Sequence, residues 1–129
     1  MKMLKEMKTI EKIDDQTKIM YWRFKMPMMS DRDNVVKQVR MPLSDTEDYV
    51  LLETIERDDV PEVPGAVRMF TFIRGYVRDS KEIPGAIDYT EITLFNMRGY
   101  FPSRLLNMVI SSELNRDMGN MYKHLAAKN

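Results

Sequence analysis

The sequence predicts an α+β domain, with one antiparallel sheet of about six strands followed by one long C-terminal helix. Three observations predict it. Segments rich in β-branched and aromatic residues recur between residues 8 and 97, each ended by a Pro-, Gly- or Asp-bearing connection. Those connections are short and polar, which suits an antiparallel meander rather than crossovers. Beyond Pro102 the apolar residues change to three- and four-residue steps, the period of a helix with one buried face.

Residues 1–15 carry two patterns. Met3, Met7, Ile10 and Ile13 stand at helical spacing. The same stretch also suits a strand from about Lys8 that enters a turn at Asp14-Asp15-Gln16, and that hairpin signal favours the strand. Thr17 to Met26 is the next strand, with Ile19, Tyr21, Trp22 and Phe24, and Pro27 ends it. A loop over Pro27 to Asp33 leads to a strand over Asn34 to Met41. Its alternation places Val35 and Val39 on one face and Val36, Gln38 and Arg40 on the other. Pro42 to Asp48 reads as a turn, Tyr49 to Arg57 as a strand, and Asp58 to Gly65 as a loop with two prolines. Ala66 to Arg78 reads as one long strand with a bend or bulge at Gly75. The loop Asp79 to Gly85 precedes a last strand, Ala86 to Met97.

Pro102 suits the first helical position. Leu105, Leu106, Val109, Ile110, Leu114, Met118, Met121, Tyr122 and Leu125 form the apolar stripe, with Arg104, Glu113, Arg116, Asp117 and Lys123 opposite. Gly119 interrupts the run at a cost of about 1 kcal/mol relative to Ala. Such a stripe has one natural place to bury itself, a face of the sheet.

At 129 residues the chain is one domain, long enough for a single core. A hydrophobic fraction of 43% against 31% charged describes a globular protein rather than a disordered one. Twenty basic residues balance twenty acidic ones, which argues against a nucleic-acid binder working by phosphate neutralisation. With no cysteine, disulfides, thiolate catalysis and Cys-based zinc sites are excluded. The N-terminus is too charged for a signal peptide, and no stretch approaches the ~18 apolar residues of a membrane span. The expected location is the cytoplasm. His124 is the only histidine, so no His-His metal pair exists. No nucleophile–base constellation, phosphate loop or metal spacing is present, and neither an enzyme nor a cofactor is expected. Thirteen methionines suit either ordinary core filling or a deformable ligand lining.

Several motifs stand in order. Thr17 to Asp33 runs from a strand through Pro27 to the pair Arg32-Asp33. Gly65-Ala66-Val67-Arg68 follows, then Gly75-Tyr76, then Asn96-Met97-Arg98-Gly99-Tyr100-Phe101-Pro102 leading to Leu105-Leu106-Asn107. Each is common alone. Their order and spacing resemble the START domain, the lipid-transfer module related to the steroidogenic acute regulatory protein. Asn96 stands where that family usually has aspartate. The resemblance implies a helix-grip fold, a curved sheet around the C-terminal helix. It also implies that the chain is a single START-like domain lacking the N-terminal part of the usual one.

The resemblance implies lipid binding or intracellular lipid transfer, with one lipid in an apolar tunnel between sheet and helix. A tunnel-facing polar residue is expected on the strand after the Arg-Asp pair, and parity gives Gln38 or Arg40, unless both simply face solvent. Arg68 is a head-group contact or a fold-stabilising ion pair. Tyr76 and Tyr89 could hydrogen-bond a polar head or merely pack. Leu106, Val109, Ile110 and Met118 would serve as both core and tunnel roof, with the loop Asp79 to Gly85 as a gate. Arg32 and Asp33 read as a structural clamp. The expected partners are a sterol, phospholipid, ceramide or fatty acid, with transient contact at a membrane surface. The alternative is a degenerate START-like interaction or sensor module, homodimerising through an exposed sheet edge.

Overall fold

Seven strands form one sheet in the computed structural model, which describes residues 3–111. They are β1 (Leu4–Lys12), β2 (Thr17–Phe24), β3 (Asp31–Ser44), β4 (Glu47–Thr54), β5 (Ala66–Arg68), β6 (Phe70–Asp79) and β7 (Ile87–Asn96). The spatial order is β1-β2-β3-β4-β6-β7, and every neighbouring pair along that path is antiparallel. The expected meander is therefore present. The short β5 lies outside the path and runs parallel to the start of β3, Asp31 opposite Ala66 and Asp33 opposite Arg68. The chain divides into two compact units, the sheet through Arg98 and a second unit from Gly99 onward.

Several boundaries differ from the sequence reading. β1 is a strand, but it begins at Leu4 rather than Lys8. β3 takes in Asp31 to Asp33, expected in a loop, and continues through Pro42 to Ser44, leaving only Asp45 and Thr46 for the turn. Pro42 is tolerated for a geometric reason. The Arg40 N–H points to the Gln16 carbonyl at 2.8 Å, on the β2 side. Alternate residues of a strand aim the same way, so the missing N–H of Pro42 falls on that side, past the last β2 pairing at Val39.

The predicted strand Ala66–Arg78 is interrupted at Met69, not at Gly75. Met69 donates its N–H to the Asp33 carbonyl at 2.9 Å, where the chain changes partner from β3 to β4. No bulge occurs at Gly75, whose pairing continues in step on both sides. Tyr89 lies over it, and a Cβ there would stand 3.4 Å from the Tyr89 hydroxyl, at the near limit of ordinary van der Waals contact.

After β7 the Arg98 N–H bonds the Asn96 Oδ1 at 2.9 Å, a side-chain turn that asparagine makes as aspartate would. Arg98 sits at φ +51°, a left-handed conformation that ends the strand direction. In the second unit, residues 103–111 are helical, and the Pro102 carbonyl accepts the first helical bond from Leu106 N–H at 3.0 Å. Pro102 is thus the residue before the helix rather than its first position. The remainder of the predicted helix, including Met118 and His124, lies outside the described residues.

Candidate functional site

The two faces of the sheet differ in chemistry, and the strand register decides which residue belongs to which. Residues directly opposite in an antiparallel pair share a face. Val35 shares its face with Tyr21, and Val36 shares the other with Met20.

The Val35 face is built from charged pairs. Asp33 is 1% exposed and accepts hydrogen bonds from Tyr21 Oη at 2.8 Å and Arg68 Nε at 2.9 Å. Arg68 also donates to the carbonyls of Val60 and Pro61, so it ties β5 and the preceding loop to β3. Burial pushes the Tyr21 pKa up to about 12, with the hydrogen bond to Asp33 acting in the same sense. Arg23 pairs with Asp31 at 2.9 Å, and Arg57 reaches Glu11 at 2.5 Å. Farther along the sheet Tyr76 donates to Glu47 at 2.6 Å, and that bond raises its pKa. Arg78 pairs with Asp88, and Arg74 stacks on Phe72 with its centre 4.1 Å from the ring. The apolar members of this face, Ile19, Tyr21 and Val35, are packed against Ile10, Ile55 and Val60. This face is already covered in part by the chain's own loop.

The Val36 face carries few charges. Met20, Val36 and Leu52 are buried there, with Trp22 and Ile73 packed against them. Trp22 meets Phe24 edge-on at 6.3 Å. Arg32, the Arg40–Asp48 pair and Glu91 lie toward the ends of this face, while its central polar groups are neutral and bonded to one another. Asn34, fully buried, donates to Thr71 Oγ1 at 2.9 Å and accepts from Thr54 Oγ1 at 2.8 Å, and the Thr54 oxygen accepts the Thr71 N–H at 2.7 Å. Trp22 Nε1 is buried and has no hydrogen-bond partner among the described residues. A buried indole N–H usually finds an acceptor.

The sequence-predicted site residues separate accordingly. Gln38 and Arg40 lie on the Val36 face, opposite Leu52 and Val50. Gln38 is half-buried, whereas Arg40 is exposed at the end of the sheet and pairs with Asp48 at 2.7 Å. Tyr89 is on the same face, over Gly75, and bonds Glu91. Arg68 and Tyr76 are on the Val35 face, engaged with Asp33 and Glu47, and do not join the other three. In the second unit Val109 is buried, Leu106 is half-buried and Ile110 is 40% exposed. The loop after β6 is a turn held by Ser80, whose Oγ accepts the N–H groups of Glu82 and Ile83.

Arg32 and Asp33 are structural clamps, as the sequence reading has them. Arg32, 2% exposed, donates to the carbonyls of Ser30, Met97 and Arg98, and so joins the start of β3 to the end of β7. Sequence reasoning missed Trp22 and the Asn34–Thr54–Thr71 rung as members of the face. The signal for Trp22 was present, since Met20, Trp22 and Phe24 alternate along one strand face. The rung joins residues up to 37 positions apart and leaves no local pattern. Among the described residues no cluster of His, Cys, Asp and Glu could hold a metal ion.

The START domain model matches residues 1–128 of the chain. Among solved structures, human STARD10 is similar with a TM-score of 0.77 at 15% identity, over 95% of this chain and 50% of that one. Human StAR-related lipid transfer protein 5 is similar at 0.67 and 20% identity, over 95% of this chain and 58% of that one. The human StarD13 lipid transfer and protein localization domain gives 0.66 and 19% identity, over 79% and 52%. This chain therefore spans about half the length of the structures it resembles, and at these identities the likeness shows the fold. Comparison with curated proteins gives no match.

Proposed function

The chain belongs to the START domain family, and from that membership we propose that it binds one lipid against the Val36 face of its sheet, as one wall of an apolar tunnel. The observation that carries this is the partition of charge between the two faces. A lipid chain gains about 0.8 kcal/mol per buried methylene only where it does not strip water from ions. The Val35 face is crossed by ion pairs and covered by the loop after β4. The Val36 face offers Met20, Trp22, Leu52 and Ile73, with its central polar groups satisfied among themselves.

Polar recognition would fall to Gln38, Tyr89 and the Trp22 indole N–H, with Arg40 at the rim. Such sites are mostly apolar with a few convergent polar groups. Arg68 and Tyr76 are set aside as structural. The protein acts in this reading by binding and carrying, without covalent chemistry, in the cytoplasm and in transient contact with membrane surfaces. No helix among the described residues is long and apolar enough to cross a membrane. Sterols, phospholipids, ceramides and fatty acids share the chemistry this wall would accept.

Native mass spectrometry of the purified chain, followed by organic extraction, tests the proposal. A one-to-one lipid adduct is expected. A protein that stays ligand-free after incubation with mixed liposomes contradicts it.

A further inference from the structure

We infer that Glu91 selects the head group, and that the lipid carried on the Val36 face bears a cationic nitrogen beside its acyl chains. The inference rests on the lipid reading above and narrows it. Glu91 pairs with Gly75 of β6, Gly75 with Val50 of β4, and Val50 with Arg40 of β3. Directly opposed residues share a face, so Glu91 stands in one row with Gly75 and Val50 on the proposed lipid wall. Its neighbours along β7 on that face are Tyr89 and Thr93, opposite Val77 and Ile73. Ile73 packs against the buried cluster of Met20, Val36 and Leu52. A carboxylate is thus set at the border of an apolar surface.

The charge of Glu91 is met differently from that of Asp48, another acid on this face. Asp48 is offset by Arg40 at 2.7 Å. Glu91 accepts from two neutral hydroxyls, Tyr89 Oη on one oxygen and Thr93 Oγ1, at 2.5 Å, on the other. These bonds hold the carboxylate in place but supply no opposite charge. A lipid lying along the wall displaces water from it, and a dehydrated carboxylate is costly unless a cation reaches it. A head group with an ammonium nitrogen provides that cation, a neutral head does not, and an anionic head adds repulsion. The Tyr89 ring stands over Gly75 beside the carboxylate, and an aromatic ring is the second kind of group that attracts a cationic nitrogen.

Transfer between vesicles tests the inference with four lipids of one acyl composition and different heads. They are phosphatidylcholine, a diacyl trimethylammonium lipid without phosphate, diacylglycerol and phosphatidic acid. The wild-type chain is expected to take up both nitrogen-bearing lipids about tenfold better than diacylglycerol, with phosphatidic acid last. Which of the two is preferred tells whether a phosphate accompanies the nitrogen, and either order supports the inference. Glu91→Gln should bring the ammonium lipids and diacylglycerol within about twofold of each other, while Glu91→Asp, which keeps the charge, should retain part of the preference. Asp88→Asn makes the same change of charge on the other face of the same strand and should keep the preference whole. A wild-type chain that takes up diacylglycerol as well as the ammonium lipids overturns the inference, as does a preference that Glu91→Gln leaves intact. Uptake of none of the four by the wild-type chain is a separate outcome, which overturns the lipid reading itself and this inference with it.

Discussion

Arg68 Nε donates to Asp33 Oδ1 at 2.9 Å, across the parallel pairing of β5 with β3. Both partners are largely out of water, the Asp33 side chain at 1% exposure and Arg68 at 12%. Removing one member of a buried pair leaves the other uncompensated. Arg68→Ala is accordingly expected to destabilise the fold by about 3–5 kcal/mol in urea unfolding. A loss below about 1 kcal/mol, the usual worth of an exposed pair, would show that the clamp does not hold β5 to β3.

Tyr21 supplies a pH dependence with a definite sign. Its folded pKa is pushed from 10 to about 12, by burial first and then by Asp33. The folded state therefore keeps a proton that the unfolded state releases between those values. The stabilisation is fully present below pH 10 and is lost as pH rises through about 12. Tyr21→Phe should unfold with a smaller pH slope across that window, although it costs about 1.5–3 kcal/mol at neutral pH by removing a bond to a charged group. Equal slopes in the two proteins would mean that Tyr21 titrates normally.

The Asn34 rung gives a separate stability prediction. Asn34→Leu leaves the Thr71 and Thr54 hydroxyls without their partner in a buried place. Thermal or urea unfolding should show a loss of about 2 kcal/mol. Full stability in this variant would imply that water replaces the amide.

The division between faces predicts which substitutions alter ligand binding. Gln38→Ala, on the Val36 face, should weaken binding of a polar-headed lipid by about tenfold, the worth of one hydrogen bond. Tyr76→Phe, on the Val35 face, should leave it unchanged. A lipid-transfer assay between vesicles reads both. The reverse pattern would place the ligand on the wrong side of the sheet.

Much of the sheet was legible because its signals are local. Ile19, Tyr21, Trp22 and Phe24 announce β2, and the parity of Val35 and Val36 holds in the register. The start of β3 was not legible. Ser30-Asp31-Arg32-Asp33 has the composition of a turn, yet Arg32, Asp33 and Asn34 are among the most buried residues described. Their burial depends on Met97, Arg68 and Thr71, partners between 35 and 65 positions away. Gly75 misled for a similar reason. Its strand does not bend there, and the side chain over it comes from Tyr89 on the neighbouring strand. The site candidates were chosen by residue type, and type alone does not tell which face Tyr76 or Tyr89 occupies before the register is known.

Trp22 allows the most direct measurement, because it is the only tryptophan and lies on the proposed lipid wall. Its fluorescence would be followed while the protein is loaded with lipids brominated along the acyl chain. Lipid binding on the Val36 face predicts saturable quenching at one lipid per protein, with no quenching by the same lipids unbrominated. Stoichiometric lipid uptake without quenching of Trp22 would contradict it.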